Sequence, residues 1–350
     1  MRILLALLLL AVPLAAADYP PSTEDDFVLR NFRFRDGSTL PELKLHYTTI
    51  GSLQGDNAVL IMHGTGGTGK AFLSDQFAGV LFGPGQLLDG RRYFIVLPDA
   101  IGHGKSSKPS DSLNDKFPRY DYDDMVEADY RLLTERLGVK HMRLIMGTSM
   151  GAMETWVFGE TYPGFMDALM PLASAPVQIA GRNRFLRRMI IDALRNDPVN
   201  GHRTAIDILT IMTSSSLQLQ KQAPTRDEAD KLFDETIERR TAANPSPIDM
   251  LYQFDASRNY NPEPGLEKIQ APLLAINSAD DVVNPPELGI LERTIGRVKH
   301  GRFVLLPITD QTRGHGTHSL PAIWQGYLAD LLKTSEPAKV TTDASSHGAR

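Results

Sequence analysis

An α/β architecture is what the sequence predicts: a mostly parallel eight-stranded sheet with helices on both faces and a helical cap inserted into it. Three observations carry the prediction. Short apolar runs recur along the chain, amphipathic segments separate them, and one long stretch contains helical patterns with no apolar run between them.

The elements follow in order. Residues 27–34 and 42–50 alternate apolar and polar side chains around Asp36-Gly37, as half-exposed antiparallel strands joined by a loop do. The runs at 58–62, 93–97, 142–146, 168–172, 272–276 and 303–306 are short and apolar, which suits parallel strands covered on both faces. Asp123-Asp124 opens a helix marked by Met125, Ala128, Leu132, Leu133 and Leu137 and closed by Gly138, and residues 152–162 continue the strand at 142–146 as a second helix. Residues 176–265 break the rhythm with helical patterns at 183–195, 204–213 and 225–240. They are expected to form a cap over the C-terminal edge of the sheet, with Phe185, Met189 and Met212 packing between its helices. The core is then 18–175 plus 266–333, ending in a helix at 321–332. Residues 334–350, rich in Ser, Thr and Ala and lacking an apolar period, read as a disordered tail.

Composition narrows the chemistry. The chain has 350 residues, 42% of them hydrophobic, with 37 Lys and Arg against 42 Asp and Glu for a net charge of −5. No block of like charge is present to follow a phosphate backbone, so nucleic acid is not an expected partner. Cysteine is absent, so a thiolate nucleophile, a disulfide and a Cys-ligated metal are all excluded. Any nucleophile must be Ser, Thr or a carboxylate. Residues 1–17 combine Arg2, an aliphatic run at 3–12 and Ala15-Ala16-Ala17. That is the pattern of a cleaved secretory signal, its apolar run shorter than the about 20 residues that span a bilayer. The expectation is an exported protein, periplasmic or secreted, with no stable membrane anchor once cleaved near Asp18.

Three glycine-rich motifs compete for function. Gly64-Thr65-Gly66-Gly67-Thr68-Gly69-Lys70-Ala71 follows a strand and imitates a phosphate loop. Ala71, however, stands where a hydroxyl must hold Mg²⁺, and no acidic residue follows at the distance a dinucleotide site needs. Gly147-Thr148-Ser149-Met150-Gly151 lies between a strand and a helix. There a serine is forced onto a sharp turn that exposes its Oγ, with the helix N-terminus behind it favouring developing negative charge. A serine hydroxyl needs a base and a carboxylate to orient that base. The carboxylate candidates, Asp280 and Asp281, end the strand at 272–276; the base candidates, His315 and His318, follow the last strand. Read as a metal pair, the two histidines lack a third ligand nearby, so no metal or cofactor is expected.

With these residues in place the chain resembles the α/β-hydrolases. The resemblance implies the order Ser, acid, His and a D-x-x-x-P register for the acid, which select Ser149, Asp281 and His315. His63-Gly64-Thr65-Gly66-Gly67 is similar to the loop that lends one N–H to an oxyanion hole, implying the backbone N–H groups of Thr65 and Met150 as its donors. The third motif, Asp99 to Ser106, looks like the family's turn after the fourth strand and makes His103 structural.

More narrowly, residues 27–333 resemble the homoserine O-acetyltransferase branch. DMVEADYRLLTERLGV at 124–139, GTSMGAM at 147–153, RRMIIDALRNDP at 187–198 and Gly314-His315 carry that likeness. It implies a small-molecule acyl substrate and a homodimer through cap helices. The chain departs from the branch at Gly102-His103-Gly104-Lys105-Ser106-Ser107-Lys108-Pro109 and at Thr148, where the branch has a glycine. Together with the leader, these departures make hydrolysis of an ester, lactone or related acyl bond the expected activity. O-acyl transfer and a non-catalytic binding protein on the same fold are the alternatives.

Overall fold

The computed structural model describes residues 19–197, 200–244 and 246–336, so the expected leader at 1–17 and the tail beyond 336 lie outside the described residues. The chain opens with an antiparallel hairpin, β1 (Thr23–Arg33) and β2 (Thr39–Ile50). Both strands outrun the apolar alternation, because β1 is an edge strand whose first residues are exposed and pair through Asp25 opposite Tyr47 and Asp26 opposite His46. Next come β3 (Ala58–Met62), the short α1 (Ala78–Leu81), β4 (Phe94–Pro98), α2 (Tyr122–Arg131), β5 (Met142–Thr148), α3 (Met150–Thr161) and β6 (Leu169–Leu172). The eight strands lie in the order β1-β2-β4-β3-β5-β6-β7-β8, with β7 (Leu273–Ser278) and β8 (Gly301–Leu306) at the far edge. From β4 onward every pairing is parallel.

Period-two geometry divides the strand side chains between two cores. Along β3, Ala58, Leu60 and Met62 join Trp156 and Phe158 of α3, while Val59 and Ile61 join the opposite cluster with Trp324 and Leu328. β3 and β4 are therefore apolar at every position, as parallel strands between two helical layers tend to be.

Between β6 and β7 the cap contributes α4 (Gly181–Asn196), α5 (Gly201–Met212), α6 (Ser216–Gln222), α7 (Arg226–Ala243) and α8 (Pro247–Asp255). The cap has a core of its own, built on Ile190, Ile191, Ile206, Met212, Ile237 and Phe254. Two expectations need correcting there. Phe185 and Met189 are not packed between helices but are 74% and 53% exposed, because α4 turns Ile190, Ile191 and Leu194 inward instead. The short α6 and α8 also exceed the three expected helical patterns; α8 starts where the Ser246 hydroxyl accepts from the Asp249 N–H and Pro247 takes the first turn. Asp249 then ties the cap to the core by accepting from the Ser110 N–H at 2.8 Å.

After β7, the short α9 (Ile290–Thr294) precedes β8, and α10 (Pro321–Thr334) closes the described chain. Residues 334–336 of the expected tail are described and ordered, while its remainder lies outside the described residues. Thr334 completes α10, and Ser335 is buried, its hydroxyl donating to the Leu331 carbonyl and accepting from the Arg143 guanidinium at 3.0 Å. Among the described residues no helix is long and apolar enough to cross a membrane.

Two buried carboxyls lie between α2 and α3. Burial pushes Asp129 up to about 8, and burial together with Asp129 raises Glu154 well above the usual range. Among the described residues Asp129 Oδ2 and Glu154 Oε1 have no hydrogen-bond partner. A carboxyl raised in this way holds its proton in the native state while the unfolded chain has lost it, so stability falls as pH rises from the ordinary carboxylate range to about 8 and is level above that. Asp129→Asn, neutral at every pH, should therefore raise the melting temperature over wild type by about 2 °C or more at pH 8 and by clearly less at pH 5, measured by calorimetry in parallel buffers.

Candidate active site

The site begins at a turn that only this pattern of small residues permits. Ser149, between β5 and α3, sits at φ 53° and ψ −107°, a conformation that L residues rarely adopt. A Cβ on Gly147 would come within 2.1 Å of the Gly151 carbonyl oxygen, and one on Gly151 within 2.2 Å of the Met62 carbonyl oxygen. Both positions must be glycine for β3, β5 and α3 to approach this closely. The Gly151 N–H donates to the His63 carbonyl and the Ser149 N–H to the Leu172 carbonyl, which pins the turn to β3 and β6.

Ser149 Oγ lies 2.8 Å from His315 Nε2, and His315 Nδ1 lies 2.9 Å from Asp281 Oδ2. With Nδ1–H donated to the carboxylate, Nε2 offers its lone pair to the serine hydroxyl. Asp281 is 1% exposed. Burial would raise its pKa, but the adjoining His315 ring, the Asn284 amide and the Val283 N–H together hold it below the usual carboxylate value. A nucleophile, a base and a buried anion that fixes the base's tautomer are thus aligned.

The two alternatives raised by the sequence have other work. Asp280 points away from His315 and accepts from the Gly314 N–H at 2.9 Å and the Ser215 hydroxyl at 3.2 Å, which anchors the histidine loop. His318 lies edge-on to His315, with ring centroids 5.3 Å apart. Burial, reinforced by His315, pulls it down to about 3, so it stands as a neutral ring against the base. His103 is likewise neutral, pulled to about 3 by burial and by His63, and its Nδ1 donates to the Ile101 carbonyl.

The first glycine motif faces the same place. His63 Nδ1–H donates to the Gly64 carbonyl while Nε2 accepts from the Ala100 N–H, joining the loops after β3 and β4. A Cβ on Gly64 would lie 3.3 Å from Ser149 Cβ, so glycine brings Thr65 alongside the serine. The Gly69 N–H, which a phosphate would need, donates to Asp99. Among the described residues the backbone N–H groups of Thr65 and Met150 have no acceptor, which leaves both open to a ligand beside Ser149.

A cavity of about 340 Å³ lies over Ser149 and His315, between the sheet and the cap. Met212, Phe254 and Val283 supply apolar wall, and Arg187 and Arg240 reach it from α4 and α7. Neither arginine belongs to a motif that marks it as a pocket residue. The signal was present all the same: each is a charge on a buried helical stripe, Arg187 one turn before Ile190 and Ile191, Arg240 one turn after Ile237. Arg187 donates to Asn183 and Ser257 and lies over the Phe254 ring.

Residues 57–292 match the family model described as alpha/beta hydrolase fold. The chain belongs to the α/β-hydrolase family. This α/β-hydrolase is similar to the homoserine O-acetyltransferase of Moorella thermoacetica, 35% identical over 165 residues. That match spans 41% of this chain and 44% of the relative, less than half of either. Two solved structures share the fold. Homoserine O-acetyltransferase from Bacillus anthracis aligns with a TM-score of 0.78 at 17% identity, covering 89% of this chain and 97% of that one. The acetyl esterase MekB aligns with a TM-score of 0.76 at 21% identity, with the same coverage of 89% and 97%. The α/β-hydrolase fold therefore accommodates relatives named as transferases and relatives named as esterases.

Asp281→Asn should leave the fold intact but present an amide N–H to a group that needs an acceptor. Serine-dependent turnover is expected to fall by about 10³- to 10⁴-fold, read as kcat beside an unchanged circular dichroism spectrum.

Proposed function

We propose that this enzyme is an exported serine hydrolase that cleaves an ester, lactone or related acyl bond through an acyl-enzyme on Ser149. The observation that supports this most is the unbroken relay from Ser149 Oγ through the His315 ring to Asp281. Ser149 Oγ attacks the carbonyl carbon as its proton passes to His315 Nε2. The resulting oxyanion accepts from the Thr65 and Met150 N–H groups, neither of which has an acceptor among the described residues. Collapse breaks the bond to the leaving oxygen, which takes the proton from Nε2, and the acyl group stays on Ser149. Water then enters, gives its proton to Nε2 and attacks the acyl carbon; the acid leaves and Ser149 Oγ recovers its proton.

Water is the favoured acceptor because residues 1–17 read as an export signal, and an exported enzyme meets water far more readily than an acyl thioester. A second reading, O-acyl transfer to a small hydroxyl compound, is favoured by the similarity to homoserine O-acetyltransferases. The two differ only in what attacks the acyl-enzyme.

Purified protein should hydrolyse p-nitrophenyl acetate without an added acceptor, and Ser149→Ala should lower kcat by about 10³-fold or more. Turnover that appears only with an acceptor such as homoserine would establish transfer in its place. Equal activity in Ser149→Ala, or none in either protein across a broad ester panel, would support the binding-protein alternative. Export predicts that Edman sequencing of protein recovered outside the cytoplasm starts near Asp18; an intact residue 1 in that protein would overturn cleavage.

A further inference from the structure

The wall of the active-site cavity carries two guanidiniums and, among the described residues, no Asp or Glu. The two cations are not alike. Arg187 is engaged by Asn183, Ser257 and the face of Phe254. Arg240, half-buried in the last turn of α7, has one side-chain partner among the described residues, the Thr213 hydroxyl at 3.0 Å. The charged group closest in effect is another cation, Arg239, and burial followed by Arg239 lowers the pKa of the Arg240 guanidinium. Other partly shielded arginines of the chain sit on carboxylates, as Arg258 does on Asp255 and Arg131 on Glu135. An uncompensated guanidinium facing a cavity is costly to leave empty, and a planar carboxylate satisfies it with two parallel N–H donors.

Its position ties it to the chemistry. Asn244, at the end of α7, donates through its side chain to the Arg240 carbonyl, and its Oδ1 stands 2.9 Å from where a Cβ on Gly66 would be. The last turn of α7 therefore abuts the loop that carries Thr65, on the rim of the cavity that holds Ser149.

Resting on the serine-hydrolase reading, we propose that Arg240 seats a carboxylate of the substrate, so that the preferred esters carry an anionic group beside the scissile bond, on the acyl or the alcohol part. Arg240 thereby sets specificity. A neutral ester leaves its charge without a partner, while an acid-bearing ester completes it.

The test is a kcat/KM comparison on two matched pairs, with spontaneous hydrolysis subtracted. One pair places the carboxylate on the acyl side, mono-p-nitrophenyl adipate against p-nitrophenyl hexanoate. The other places it on the alcohol side, the acetate ester of p-hydroxybenzoate against that of its methyl ester. Wild type should prefer the acid-bearing member of at least one pair, and Arg240→Gln should lower that preference ratio by about tenfold or more, with Arg240→Lys, which keeps the charge and loses the paired donors, falling between the two. The pair that responds identifies the side. Ratios that move by less than about twofold in both pairs, with the variant's melting temperature unchanged, would overturn the assignment. If wild type turns over none of the four esters, the hydrolytic reading fails, and the anion site is judged by itself through the thermal upshift that adipate or p-acetamidobenzoate gives Ser149→Ala. An upshift lost on adding Arg240→Gln supports the site; no upshift with either acid overturns it.

Discussion

Three backbone segments converge on Ser149 with no space between them for a single side-chain carbon. The carbonyl of Met62, the end of β5 and the first turn of α3 meet at Gly147 and Gly151, and the serine between them takes a positive φ as a result. Backbone strain of about 1–3 kcal/mol persists only where surrounding structure fixes it, and here the sheet's hydrogen bonds and two helical layers do so. The rest of the site follows from this crowding. The same approach sets Thr65 beside the serine and points the N-terminus of α3 at the place where negative charge would develop.

The site sorts its histidines by electrostatics. Among the described residues no carboxylate is hydrogen-bonded to the rings of His63, His103 or His318, and burial holds all three neutral, each as a packed ring or a short tie between loops. His315 alone among these is hydrogen-bonded to a buried carboxylate on one nitrogen and a hydroxyl on the other. Neighbouring aspartates divide the labour in the same manner, Asp281 orienting the ring and Asp280 holding the loop on which the ring is mounted.

Sequence legibility tracked how local each signal was. The parallel strands and the serine turn could be read because each is dictated within a few residues, by apolar runs and by glycines whose absent Cβ is a local necessity. The choice of Asp281 over Asp280 and of His315 over His318 comes from the family resemblance, and in the structure His315 Nδ1 is hydrogen-bonded to Asp281 and Nε2 to Ser149. What escaped is tertiary in origin. The first residues of β1 are exposed and held by pairing with β2, so no apolar pattern marks them. Phe185 and Met189 look like packing residues until the facing helices turn α4 the other way. Arg187 and Arg240 belong to no motif, and only the closure of the cap over the sheet turns two helix positions 53 residues apart in number into one wall.

Val283 belongs to two structures at once. Its side chain is part of the cap's own apolar cluster with Ile190, Met212 and Phe254, while its N–H donates to Asp281 Oδ1 at 2.8 Å. The residue that greases the lid is thus the one whose amide aims the acid. The apolar seal of the cap and the aim of that carboxylate meet in one residue, so a substitution that unseats the Val283 side chain reaches Asp281 through its own backbone.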